Sequence, residues 1–214
     1  PREECEKPTQ GMTLLLVDLQ DPAVDITPIP KLGRNAVVSC EVTFDDLAVP
    51  VDHRVGEEGA GFRYLLDGLN PERILIAAEA LGIGRVAIER AVAYANERVV
   101  YDRPIGQNQG IAFPLAEAYA HLHAASLVVR EAGWRYDQGL PCGEQANLAK
   151  LLASEAAFTA ADRAMQTHGG FGYASEYDID RYWREARLMR LAPLPQEMVL
   201  NYVAEHVLGL PRSY

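Results

Sequence analysis

Four groups of residues in this chain of 214 residues have types and spacings that could do chemistry. The first is Glu72. It follows Asn70-Pro71, which reads as a helix start with asparagine as N-cap and proline at the first helical position. A carboxylate in that first turn can take a proton, or it can simply complement the helix dipole for about 0.3–1 kcal/mol. The second group is Arg98 to Gln109, with two arginines and three amides beside a helix end. It suits an anion, and it equally suits an ordinary solvated loop. The third is His168-Gly169-Gly170-Phe171-Gly172, whose free backbone N–H groups could approach a phosphate; the glycines serve equally as a helix C-cap. The fourth is the set of five histidines at 53, 121, 123, 168 and 206. They show no His-x-x-x-His or HExxH spacing, and His121 and His123 lie about 200° apart on a helix. No metal site is expected from them.

These groups need elements to hold them. Gly61 to Arg98 is the longest stretch of helical period, expected as a short helix over 61–69 and a new one starting at Asn70. Ile74, Ala77, Ala78, Leu81, Val86, Ile88 and Val92 supply its apolar faces. Gly82 and Gly84 sit inside it at about 1 kcal/mol each relative to alanine, which signals close packing against another backbone. Further helices are expected over about 110–138, 143–167, 178–190 and 196–208. Gly139-Leu140-Pro141 stops the first of these, and Pro193 and Pro195 interrupt the run before the last. Upstream, 12–19 and 37–44 read as strands, and 27–34, with two prolines, as a loop or edge element. Two or three strands cannot close a sheet alone. The expected fold is therefore mainly α, an up-down helical bundle over 57–214 preceded by a few strands of a truncated β domain over 1–56. The abrupt opening reads like the middle of a domain, so an N-terminal part is expected to be missing, and with it any targeting segment.

Bulk composition narrows the function classes. A formal charge of −10 with no polybasic run argues against nucleic acid. No apolar run reaches the roughly 18 residues of a membrane span. Three widely spaced cysteines, Cys5, Cys40 and Cys142, form no CxxC pattern and fit a reducing compartment, so a cytoplasmic protein is expected.

Taken together and in order, several blocks resemble the acyl-CoA dehydrogenase family. They are GMTLLLVDL, KLGRNAVVSCEVTFDDLAVP, VGEEGAGF, the Glu72-Arg73 pair, ANERVVYDRPIGQNQ, and Gln166-Thr167-His168-Gly169-Gly170-Phe171-Gly172-Tyr173 before an Arg-Glu-Ala-Arg helix. The resemblance covers essentially the whole chain. It implies the second half of a middle β domain plus the C-terminal helical bundle of an FAD enzyme. Such enzymes remove the pro-R α-hydrogen of an acyl-CoA as a proton and pass the β-hydrogen as a hydride to flavin N5, giving the trans-2-enoyl thioester. Electrons then pass to an electron-transfer flavoprotein, and the enzymes work as homodimers or homotetramers. A hetero-oligomer with a non-catalytic partner subunit is the alternative for this chain.

The resemblance also implies roles. Arg98 and Gln109 match residues that reach the FAD of a neighbouring subunit, and Tyr101 stands where a phenylalanine is common. Gln166, Gly169 and Gly170 match the segment that lies against the same cofactor. A diphosphate calls for an arginine and close backbone approach. Asp102 departs from the pattern by replacing the usual glycine. The larger departure is at the base: most members carry the catalytic glutamate in a Tyr-Glu-Gly-Thr stretch, and here Pro193 in Ala192-Pro193-Leu194-Pro195 occupies its place. Proline cannot take a proton. A minority of the family carries the base in a Leu-x-x-Glu-Arg pattern, which Leu69-Asn70-Pro71-Glu72-Arg73 reproduces. Glu72 is then the expected base, and Arg73 lies by the CoA part of the substrate. A bound acyl chain that shuts out water would strengthen that carboxylate as a base.

Overall fold

The computed structural model describes residues 5–7 and 9–213. Contacts divide the chain into two compact units, Pro1–Leu69 and Asn70–Tyr214. In the first, β1 (Leu14–Leu15) pairs antiparallel with β4 (Arg54–Val55). The main feature is a hairpin of β2 (Val24–Pro28) and β3 (Cys40–Phe44), in register from Val24 opposite Phe44 to Pro28 opposite Cys40. The expected strand over 37–44 is thus trimmed at its start, and that over 12–19 is reduced to Leu14–Leu15 and an isolated bridge between Met12 and Ala60. Thr27 and Pro28, in the expected loop or edge element, complete β2. A proline is tolerated there because it ends the strand and leaves few ladder bonds to lose.

The helical part contains five α-helices among the described residues: α1 (Gly61–Glu97), α2 (Gln109–Asp137), α3 (Gly143–His168), α4 (Ile179–Met189) and α5 (Gln196–Tyr202). A π-helical turn, Val203–Val207, takes up the remainder of the expected last helix. The short hairpin of β5 (Val99–Val100) and β6 (Arg103–Pro104) joins α1 to α2. In the second unit α1 buries Ala77, Ala80, Leu81, Ala87, Ile88, Ala91 and Ala95, a spacing of three and four that keeps one face on the core. The centre is α3, which packs against α2, α4 and α5. Its alanines are buried on more than one side, at 149, 153, 156, 157, 160, 161 and 164, and their small size lets neighbouring helix axes come close.

One expectation about the site is corrected. No helix starts at Asn70: Pro71 lies inside α1, which runs through from Gly61. An internal proline costs about 3 kcal/mol or more in a helix. Stopping and starting again would lose more than one bond and pay the nucleation penalty a second time. Asn70 is not a cap; its Oδ1 accepts a hydrogen bond from Arg73 Nη1 at 3.0 Å. Glu72 therefore stands well inside the helix, and the dipole of a helix N-terminus, which fades within the first turn, does not act on it.

The two mid-helix glycines divide. A Cβ on Gly84 would stand 2.6 Å from Leu122 Cδ2 and 3.0 Å from Ala157 Cα, whereas one on Gly82 would meet nothing within 4 Å. Gly84 is thus the close-packing residue, and Gly82 is exposed. Gly84→Ala is expected to destabilise by about 1–3 kcal/mol through overpacking. Gly82→Ala should stabilise by up to about 1 kcal/mol through helix propensity. Urea melts of the two variants, shifting in opposite directions, check both.

Candidate functional site

The candidate residues fall at the two ends of the stretch of α1 that belongs to the second unit, which starts at Asn70. Glu72 and Arg73 lie near its proline, and Arg98 just past its C-terminus. At 1.5 Å per residue the two ends are roughly 39 Å apart along the axis. Groups that far apart do not belong to one catalytic pocket.

At the first end Glu72 is exposed and Arg73 half-buried. Burial pulls the Arg73 guanidinium below its ordinary value, and Tyr202 and Glu72 work against that pull. Arg73 is thus a partly desolvated cation held by Asn70, with a carboxylate next to it in sequence. Glu79, a further position on the same helix, is half-buried.

The bend between α4 and α5 holds Pro193. It is tied down from beneath by Lys150 of α3, which is fully buried and donates from Nζ to the Leu194 carbonyl at 2.6 Å. Burial draws the Lys150 ammonium below its ordinary value, opposed by Glu197 and Glu155. Gln196 Nε2 donates to Glu155 Oε1, and Arg190 reaches the same carboxylate at 2.9 Å and Gln196 Oε1 at 3.0 Å. No carboxylate stands at Pro193, and its neighbours hold the bend in place.

The other end is a cavity of about 580 Å³. Arg98, Gly169 and Gly170 line it, together with Tyr94, His168 and Phe171. Helix α3 ends at His168, and Gly169 turns the chain at φ +57°, ψ −132°, a region that only glycine enters readily. A Cβ on Gly169 or Gly170 would meet no atom within 4 Å, so both present bare backbone to open space. Gly172 differs: a Cβ there would stand 2.6 Å from the Met165 carbonyl oxygen, so it is needed for close approach to α3. On the other side, Tyr101 and Asp102 form the two-residue turn of the β5–β6 hairpin with φ +50° and +62°. Such a turn wants glycine or asparagine-like residues, which Asp102 satisfies in place of the glycine and Tyr101 does not.

Of the expected residues, then, Arg98, Gly169 and Gly170 are brought to one cavity. Gln109, the first residue of α2, and Gln166, in the last turn of α3, are exposed near it in sequence but do not line it. Tyr101 is 94% exposed at its turn. Tyr94 was not expected as a site residue, and His168 was expected only as part of the glycine segment, for its backbone and not for its ring. Their rings stack at 4.3 Å and 24°. The signal for Tyr94 was its place four residues before Arg98, on the same helical face. His168 Nδ1 donates to the Ala164 carbonyl at 2.8 Å, which fixes that nitrogen as the protonated one. Burial holds its imidazole below the ordinary value; the Ala164 carbonyl opposes this, and Arg90 adds to it. A neutral ring thus faces the cavity. Among the described residues no group of three or more histidine, cysteine, aspartate or glutamate side chains could hold a metal. No helix among them is long and apolar enough to cross a membrane.

The family model for the acyl-CoA dehydrogenase C-terminal domain matches residues 59–208, and the chain belongs to that family. Acyl-CoA dehydrogenase FadE12 of Mycobacterium tuberculosis is 42% identical over 214 residues, covering 99% of this chain and 55% of that protein. The solved butyryl-CoA dehydrogenase of Megasphaera elsdenii superposes with a TM-score of 0.91 at 31% identity, covering 96% of this chain and 54% of that one. A structure of PigA with FAD and proline gives a TM-score of 0.90 at 26% identity, with 94% and 53% covered. The chain spans about half the length of the curated relatives it matches.

Proposed function

We propose that the full-length protein is an FAD-dependent acyl-CoA dehydrogenase that converts an acyl-CoA thioester to its trans-2-enoyl-CoA. The observation that carries this reading is the cavity at the end of α1. It combines one arginine with two adjacent glycines whose backbone faces open space. A diphosphate needs that pairing of a guanidinium with exposed backbone N–H groups, so the residues fit a dinucleotide cofactor such as the FAD bound in PigA. When bound, FAD supplies a hydride acceptor for the β-hydrogen. Arg98, Gly169 and Gly170 hold its diphosphate side, with Gln109, Gln166 and Tyr101 as outer contacts.

Further back along the same helix, Glu72 takes the α-proton, which the thioester carbonyl has made acidic. Arg73, half-buried and adjacent, faces the CoA part of the substrate. The roughly 39 Å between Glu72 and Arg98 along α1 supports the reading that they serve different flavins, Arg98 that of a neighbouring subunit. The working form is then a homodimer or homotetramer in the cytoplasm, re-oxidised by an electron-transfer flavoprotein. Pro193 in place of the usual base favours one second reading, a non-catalytic partner subunit that lends its cavity to a paired chain's flavin.

Anaerobic mixing of the purified, flavin-loaded full-length protein with a panel of straight-chain, branched and steroid side-chain acyl-CoAs tests the proposal. Bleaching of the oxidised flavin's visible absorbance with formation of enoyl-CoA is expected for at least one member. No bleaching with any of them would leave only the second reading.

A further inference from the structure

Around the cavity, two side chains of the α1 end face two that flank the glycine turn. Tyr94 stacks on His168, and one turn further along the helix the Arg98 guanidinium carbon lies 5.8 Å from the centroid of the Phe171 ring. The Arg98 N–H bonds to the Tyr94 carbonyl at 2.8 Å, so the two rungs rise from one helical turn. Between them on the opposite side run only Gly169 and Gly170. Phe171 is itself held, tilted against Tyr177 at 5.3 Å, and Tyr177 meets both Tyr94 and His168 edge-on at 5.9 and 5.8 Å. The ring beneath Arg98 is thus backed by an aromatic cluster.

Among the described residues, Arg98 makes no ion pair and no side-chain hydrogen bond. The ring is its one side-chain partner among the described residues. We propose that Phe171 is a positioning residue for Arg98: its π face holds the guanidinium over the cavity and leaves the N–H edge free for an anion. The inference rests on the flavin reading of this cavity. Its physical basis is that a ring attracts a cation through its quadrupole without using any N–H donor. A carboxylate in the same place would hold the arginine more firmly, but it would occupy the donors that a diphosphate needs and add a negative charge beside it. Without a partner, a long exposed side chain would have to be ordered when the anion binds, at a cost in rotamer entropy. An aromatic partner lowers that cost and leaves binding capacity intact.

The test is a double-mutant cycle on the full-length protein, reading FAD affinity by titrating the apoprotein with FAD and following flavin fluorescence. Phe171→Leu keeps apolar volume and removes the π face; it is expected to weaken FAD about two- to fivefold, the range of an exposed cation–π contact. Phe171→Tyr keeps the face and should bind FAD as the wild type does. Arg98→Met should weaken FAD by more than Phe171→Leu, and adding Phe171→Leu to Arg98→Met should then change nothing further. If the leucine substitution weakens binding equally in both backgrounds, Phe171 acts through packing and the inference is overturned while the flavin reading stands. If Arg98→Met leaves the affinity unchanged, the flavin reading of Arg98 falls and takes the inference with it. A Phe171→Tyr variant as weak as Phe171→Leu would also overturn it.

Discussion

Glu72→Gln in the full-length protein is expected to lower turnover of an acyl-CoA by about 10²–10⁴-fold, the usual share of a positioned general base. Glutamine keeps the length and the hydrogen-bonding capacity of the side chain and removes only the ability to take a proton. Flavin content should stay at the wild-type level, because Glu72 lies far along α1 from the cavity that Arg98 lines. The split between lost turnover and retained flavin separates a base from a residue that merely supports the fold. The substitution should also be quiet in stability: Glu72 is exposed, and exposed positions away from special features change stability by within about 0.5 kcal/mol. Undiminished turnover would remove Glu72 as the base. With Pro193 at the other family position, the bend between α4 and α5 offers no carboxylate in its place, and the partner-subunit reading would then gain.

Glu72 does not stand at a helix N-terminus. Asn70-Pro71-Glu72 carries the local signals of a helix start, and a local reading has no means of weighing them against the helix already running from Gly61. The same limit explains β2. Val24 and Ile26 alternate with Asp25 and Thr27, but the pairing that makes them a strand comes from β3 across the hairpin, with Pro28 opposite Cys40 at its closed end and Val24 opposite Phe44 at its open end. By contrast, the ends of α2 and α3 were legible to within about a residue or two, because Gly139, Pro141 and Gly169 impose backbone constraints that hold wherever the helices pack. The cavity was legible as two separate segments, Arg98 to Gln109 and His168 to Gly172. That they meet at Arg98, Gly169 and Gly170 depends on how α1 and α3 pack, and the ring beneath Arg98 depends on it too. Of the two glycines in α1, periodicity could not say which one a neighbouring backbone approaches; Ala157 on α3 decides for Gly84.

Lys150→Ala is expected to destabilise the protein by about 3–5 kcal/mol. Lys150 is fully buried and its Nζ donates to the Leu194 carbonyl at 2.6 Å. Truncation leaves that carbonyl unpaired, at about 1–3 kcal/mol, and opens a cavity whose cost is that of a large-to-small core change, about 2–5 kcal/mol. Relief from burying a charge offsets part of the sum. Lys150→Met refills the volume and removes only the ammonium, so it should cost about 1–2 kcal/mol, and the gap between the two variants reports the packing share. The pH dependence has a definite sign. Burial puts the folded-state value of Lys150 below 10.5, so in the window between that lowered value and 10.5 the unfolded chain binds more protons than the folded one. Stability contributed by this residue therefore rises with pH across that window, and the rise should be absent from Lys150→Met. Urea melts of wild type and both variants between neutral and alkaline pH measure all three quantities. A Lys150→Ala variant within 1 kcal/mol of wild type, or a methionine variant with an unchanged alkaline slope, would show that the buried ammonium does not hold the α4–α5 bend. Where the bend is loosened, the wall it forms around Pro193 loosens as well, while Glu72, on another helix, keeps its own backbone.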